Sequence, residues 1–277
     1  MEVDKAIQLY TIDYYAQETG FISAPHTHDQ VELFYFLAGE GIHYIDFLPY
    51  PIRQHSVFLV SQHQVHYIQA PAYSHNVGYV ITLDPLLLDL FDPDFRQMFG
   101  SFTQLPTYYL SDETAELLKV AFQQFDHEIR TNSPKKGFLL KLFTELILTY
   151  TFRANQQSSS ANLITNKFQE QFQRFTGLLE QNFRQNHSAH YYAEQLSVTA
   201  KQLNRTCQKA YNQTTLTLIH QRVSLEAKRL LFYTAEPVKE IAYQLGFQDP
   251  AHFTNFFRRH TALSPESFRH QMAQIRK

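Results

Sequence analysis

"VKEIAYQLGFQDPAHFTNFFRRHTALSPESFR", Val238 to Arg269, breaks twice in 32 residues. Apolar spacing predicts helices over Val238 to Leu245, Asp249 to Arg259 and Ser264 to Gln271. At the first break Ala242 is small enough for two helices to cross closely, and Leu245 fills the angle between them. Gly246 can adopt the left-handed conformation that ends a helix, and Asp249 stands where the next helix needs an N-cap. This is the grammar of a helix-turn-helix.

The same unit stands upstream. "YYAEQLSVTAKQLNRTC", Tyr191 to Cys207, repeats the Ala-x-Gln-Leu core, so Ala193 aligns with Ala242 and Leu196 with Leu245, and Thr199 takes the N-cap place. Helices are predicted at Phe168 to Arg184, Tyr191 to Leu196, Thr199 to Ala210 and Leu216 to Tyr233. The last is amphipathic, with Leu216, Ile219, Val223, Ala227, Leu230 and Leu231 on one side. Its length of ~27 Å, at ~1.5 Å per residue, suits a rod holding two recognition helices about one turn of B-DNA apart, ~34 Å. With Leu203 and Phe253 as inward anchors, Lys201, Asn204, Arg205, Ala251, Thr254 and Asn255 point outward as candidates for base contact. Lys209, Lys239, Arg258 and Arg259 are candidates for phosphate contact.

The charge distribution points the same way. Residues 1–160 carry 9 Lys and Arg against 18 Asp and Glu, a net of −9, whereas residues 161–277 carry 15 against 8, a net of +7. A basic second half fits a polyanion, and an acidic first half would be repelled by one.

On these residues the segment from Val238 to Arg269 closely resembles the signature of AraC/XylS-type transcription regulators, in which a second helix-turn-helix is followed by a Gly-x-Ser-Pro-x-x-x-Arg-like segment, here "LSPESFR". The resemblance covers about 110 residues at the C-terminus. It implies a seven-helix module with two helix-turn-helix units joined by a linker helix, binding double-stranded DNA and commonly used for transcription activation through RNA polymerase. The first unit departs from the usual pattern at Cys207, where a bulky apolar residue is common.

The N-terminal half follows a different period. From Ile7 to about Leu83, β-rich runs separated by turn signals ("FISA", "VELFYFLAGEG", "HYIDFLPYPI", "SVFLVS", "QVHYIQA", "VGYVITL") predict a small antiparallel barrel or sandwich. Both parities of "VELFYFL" are largely apolar, so that strand should be covered on both faces. After Asp84 the pattern turns helical, with a short "PLLLDLF" piece. An antiparallel pair then spans Thr114 to Arg130 and Lys136 to Phe152, its stripes facing the barrel, a partner subunit or both. "NQQSSS", Asn155 to Ser160, reads as a polar linker. The fold class expected is α+β multidomain: a cupin-like barrel with a helical pair over 1–153, a linker over 154–166 and an all-α double helix-turn-helix over 167–277.

Within the barrel, "PHTHDQVE" places His26, His28 and Glu32 on one parity. This half resembles the effector-binding cupin barrels of the same regulators, and Gly20-x5-His26-x-His28-x3-Glu32-x6-Gly39 has the spacing of the first cupin motif. That motif's histidines and glutamate hold a metal in cupin enzymes. The second motif is altered: in "HSVFLVSQHQVHYIQA" His66 keeps the histidine, but the glycines, proline and asparagine are replaced. The expectation is therefore a pocket for a small-molecule effector with His26, His28, Glu32 and His66 at its polar end and Phe34 and Phe36 as apolar wall, holding neither metal nor cofactor. Tyr35, Tyr44, Arg53 and Tyr67 are secondary candidates. A metal-dependent cupin enzyme fused to a DNA-binding module is the alternative.

One cysteine, Cys207, excludes an internal disulfide framework and Cys-rich zinc modules, and suits a reducing compartment. The N-terminus lacks the features of a signal peptide, and no apolar run approaches the ~18 residues of a membrane span. A cytoplasmic, non-enzymatic homodimer is expected.

Overall fold

The computed structural model describes residues 6–19, 24–71, 75–91, 95, 106–157 and 166–275. These form two compact units, one N-terminal and one C-terminal.

In the N-terminal unit the strands are β1 (Ile7–Thr11), β2 (Val31–Ala38), β3 (Gly41–Ile45), β4 (Leu48–Ile52), β5 (Ser56–Val60), β6 (His66–Gln69), β7 (Val77–Leu83) and β8 (Thr107–Tyr109). They pair antiparallel in two sheets, ordered β1-β7-β2-β5-β8 and β4-β3-β6. Strand β2 explains the arrangement. Its even residues Phe34 and Phe36 pack with Phe58, Val60 and Val80 against Ile45, Ile52 and Ile68 of the smaller sheet. Its odd residues Val31, Leu33 and Tyr35 join Val57, Leu59 and Ile81 in a second core. Helix α2 (Asp112–Arg130) covers that second face through Leu118, Phe122 and Phe125, and α3 (Lys136–Gln157) through Leu140, Ile147 and Leu148. The continuous apolar run is thus a strand buried on both faces.

The helical pair has apolar side chains to spare. Leu117, Val120, Phe138, Leu142 and Leu146 are exposed. Three expectations are corrected. Ile12–Thr19 is a helix, α1, inside the region from Ile7 to Leu83 where only β-rich runs were expected, and Ile12 and Tyr15, three apart, both enter the core. Thr107–Tyr109 extends the larger sheet beyond the point where only helices were expected. Asn155 to Gln157 continue α3 and so are not linker, while 158–160 lie outside the described residues, as do Gly20 and most of "FISA".

The C-terminal unit is helical: α4 (Asn166–Asn182), α5 (Ala189–Gln195), α6 (Ala200–Tyr211), α7 (Thr215–Tyr233), α8 (Val238–Gln244), α9 (Pro250–Thr261) and α10 (Pro265–Ile275). The capping residues are those the sequence indicates. Thr199 and Gln202 form a reciprocal capping box on α6, and Asp249 accepts from the Ala251 amide at the start of α9. Such caps contribute about 1 kcal/mol each. Gly246 has φ 79°, and a Cβ there would lie 2.3 Å from the Arg184 carbonyl oxygen. In the first unit the corresponding left-handed position is Ser197, φ 56°.

Helix α7 is buried around more of its circumference than one apolar stripe predicts. Both helix-turn-helix units pack on it, and its buried residues include Arg222, Ser224 and Glu226 besides the apolar set. Arg222 lies 3.7 Å over the Phe183 ring and pairs with Glu180 at 2.8 Å and Glu226 at 3.0 Å, while Arg184 reaches Glu226 at 2.6 Å. Arginines hold the Glu226 carboxyl below the ordinary range against the opposing effect of burial. Leu216, assigned to the buried stripe, is instead exposed, because the face is set by Thr215, Leu218, Ile219 and Arg222.

Candidate DNA-reading surface and effector-domain histidine cluster

The recognition helices α6 and α9 are anchored by Leu203 and Phe253, both fully buried, so their opposite faces are open. Lys201, Arg205 and Lys209 on α6 and Ala251, Asn255, Arg258 and Arg259 on α9 are exposed, and so is Lys239 on α8. Two predicted base contacts need revision. The Asn204 side chain is half-buried and its carboxamide oxygen accepts from the Thr215 backbone amide at 3.1 Å, so it is turned to the start of α7 and away from the open face. Thr254 is half-buried and donates to the Pro250 carbonyl at 2.9 Å. Asn255 accepts from Arg258 at 2.8 Å, so these two side chains are presented together. His252, absent from the sequence reading, is exposed on the same helix.

In the effector domain the predicted cluster assembles, though not by strand parity alone. His26 and His66 are joined by an isolated antiparallel bridge with backbone hydrogen bonds of 3.2 and 3.0 Å, which brings the segment before β2 against β6. Glu32 enters from β2, fully buried. Its Oε2 lies 3.1 Å from His28 Nε2 and 3.2 Å from His66 Nε2. Nε2 of His26 and Nε2 of His66 are 3.1 Å apart. Burial alone would raise the Glu32 carboxyl, but hydrogen bonds from His28 and His66 outweigh it and hold the group well below the carboxylate range. Burial, reinforced by His66, lowers His26 to about 4, whereas the Glu32 contact overcomes burial at His28 and raises it.

Two participants escaped the sequence reading. Tyr15, on α1, donates its hydroxyl to Glu32 Oε1. His43, fully buried on β3, packs edge-on against Phe34 and also contacts Phe58 and His66, and neither ring nitrogen has a hydrogen-bond partner among the described residues. Burial pushes it far below its ordinary value. The parity of β3 opposite β6 was the available signal for His43. Tyr15 carried none, since its helix was not foreseen. Of the expected wall, Phe34 borders a cavity of about 10 Å³ with Ile12, Tyr15, His43, His66, Tyr67, Ile68 and Val80, whereas Phe36 is core, packed on Phe58. Room for about one water is left there. Tyr35 belongs to the helix-covered core, Tyr44 stacks on Tyr67 at 4.5 Å, and Arg53 lies over the Tyr109 ring.

A two-sheet ligand-binding domain followed by a doubled helix-turn-helix defines a ligand-linked DNA-binding regulator. Residues 7–147 match the family described as the AraC-like ligand binding domain, and residues 192–271 match the helix-turn-helix domain family. The chain belongs to the AraC family of DNA-binding transcription regulators. It is 24% identical over 258 residues to the HTH-type transcriptional activator RhaS of Escherichia coli O139:H28, covering 88% of this chain and 86% of that one. The RhaS of Enterobacter sp. strain 638 is 25% identical over 254 residues, with the same coverage. Among solved structures, an AraC-type DNA-binding domain protein from Chromobacterium violaceum aligns with 38% of this chain and 95% of its own, at 24% identity and a TM-score of 0.35. ToxT from Vibrio cholerae O395 aligns over 97% of this chain and 98% of its own, at 14% identity and 0.46. No described helix is long and apolar enough to cross a membrane.

Proposed function

We propose that the protein is a homodimeric transcription activator, without catalytic activity, that works in the cytoplasm and responds to a small molecule bound in the N-terminal unit. One observation carries the DNA-reading part: the recognition helices bury Leu203 and Cys207 in one case and Phe253 and Phe257 in the other, and on their open faces expose Lys201, Arg205 and Lys209 and Asn255, Arg258 and Arg259 respectively. Each unit then enters one major-groove segment, with Arg205 and Asn255 on base edges and Lys209, Lys239, Arg258 and Arg259 on phosphates. The exposed apolar side chains of α2 and α3, Leu117, Val120, Phe138, Leu142 and Leu146, supply the dimer contact. The activator role follows the relatives' description as activators and implies contact with RNA polymerase.

Selection of bound fragments from genomic DNA, followed by footprinting across a salt series, tests this reading. A protected tandem site whose affinity falls steeply with salt is expected. Binding insensitive to salt, or no protected site, would refute it. Sedimentation of the wild type beside Leu142→Glu tests the dimer, which the charge should dissociate.

A further inference from the structure

The two recognition helices hold their corresponding outward residues in different ways. Counted from the anchors Leu203 and Phe253, Arg205 on α6 occupies the place of Asn255 on α9. Asn255 is held from its own helix by Arg258 at 2.8 Å. Arg205 has no hydrogen-bond or ion-pair partner among the described residues; its guanidinium carbon instead lies 5.8 Å from the centre of the Phe168 ring. Phe168 stands in the first turn of α4, outside both helix-turn-helix units, and is half-buried. The rest of the same stripe fixes α4 along α6. Gln171 Oε1 accepts from the Thr206 hydroxyl at 2.6 Å, and Phe172 stacks on Tyr211 with ring centres 5.7 Å apart. Phe175 is fully buried and meets Tyr192 edge-on. The place of the Phe168 ring beside Arg205 is therefore set by neighbouring contacts of α4 and not by Arg205 itself.

We propose, on the reading of Arg205 as a base contact, that Phe168 is a positioning residue for sequence recognition: its ring holds the Arg205 guanidinium ready on the open face of α6. A long side chain loses rotamer freedom when it docks on a base, and one already gathered against a ring has less to lose. The chemistry of the contact matters as much as its place. Attraction of a guanidinium to a ring face consumes no N–H donor, so the fork that pairs with O6 and N7 of guanine stays free. A carboxylate at the same place would orient Arg205 equally well, but it would occupy those donors and repel the phosphates nearby. Phe168 acts through Arg205, so its effect belongs to specific binding and to one base position.

The test measures binding of the full chain to a duplex recovered by selection from genomic DNA and to a random-sequence duplex of the same length. Phe168→Leu keeps apolar bulk without a ring face. It should lower affinity for the recovered duplex ~2–5-fold, leave the random duplex unchanged and flatten the preference at one base position in a repeated selection. Phe168→Tyr keeps the ring and should bind as the wild type does. In an Arg205→Ala background Phe168→Leu should change nothing further, because the coupling runs through that side chain. Wild-type affinity and base preference in folded Phe168→Leu overturn the proposal, and so does an equal loss with and without Arg205. Phe168→Met repeats the measurement should Phe168→Leu fail to fold by circular dichroism. A weakened Arg205→Ala beside an unaffected Phe168→Leu refutes the role of Phe168 alone, whereas undiminished specific affinity in Arg205→Ala removes Arg205 as a base contact and this proposal with it.

Discussion

The two units bury carboxylates in opposite ways. In the helical unit Glu226 is surrounded by cations of its own chain, Arg184 and Arg222, with Arg222 also held by Glu180 and the Phe183 ring. In the sheet unit Glu32 meets the imidazoles of His28 and His66, whose charge follows pH, and the Tyr15 phenol. A carboxylate neutralised from within is fixed in one arrangement, which suits a rigid frame for two recognition helices. One held by imidazoles, which gain or lose charge near neutral pH, leaves its surroundings responsive, which suits a sensor.

The sharpest way to break this contrast is at Arg222. Replacing it by Met leaves Glu180 and Glu226 without their shared partner and should cost about 3 kcal/mol in denaturant unfolding. The double variant Arg222→Met, Glu226→Leu should recover most of that loss, since the buried charge goes with its partner. If both variants are equally destabilised, the network is not internally balanced. Next in size is the DNA face, where Arg205→Ala should reduce specific affinity by about 1–3 kcal/mol while sparing non-specific binding. Asn255→Ala should behave alike. Asn204→Ala should instead lower stability by about 1 kcal/mol as a lost cap, with base preference unchanged in a binding-site selection.

On the sensor side, His43→Phe removes a buried imidazole with no hydrogen-bond partner among the described residues and should raise the melting point of the N-terminal unit by the equivalent of about 1–2 kcal/mol. A fall would show that the imidazole is needed there. Ser197→Gly relieves a left-handed serine at the first turn and should add about 0.5–1 kcal/mol to the helical unit. The smallest effect concerns acid. Burial lowers His220, helped by the neighbouring His260, His187 and Arg259, and lowers His187 and His260 as well. Below about pH 6.5 the unfolded chain takes up protons that the folded unit refuses, so stability falls as pH drops through that value. Melting curves at pH 7.5 and 5.5 should show the loss, and His220→Gln should reduce it.

Much of the helical unit was legible because its rules are local. Ala242, Leu245, Gly246 and Asp249 act within a dozen residues, so their spacing alone predicts the turn, the crossing and the cap. The exposed face was less so. That Lys201 and Arg205 point outward follows from helical period, but the diversion of Asn204 to the Thr215 amide depends on where α7 begins relative to α6. In the sheet unit the double-sided burial of β2 was readable from composition. The identity of its partners was not, and α1 was missed because Ile12 and Tyr15 alone mark its buried face among the described side chains, too few to show a period.

The sequence by itself determined the doubled helix-turn-helix, the basic and acidic halves and the shared parity of His26, His28 and Glu32, since each is a matter of short-range periodicity or summed charge. Tertiary structure decided that His66 closes on His26 across an isolated bridge, that Tyr15 reaches Glu32, that His43 is sealed among Phe34, Phe58 and His66, and that Arg222 and Glu226 are buried. Those outcomes join residues 9 to 42 positions apart or depend on how many neighbours pack on one helix. No local pattern fixes them, because they depend on which sheets and helices meet.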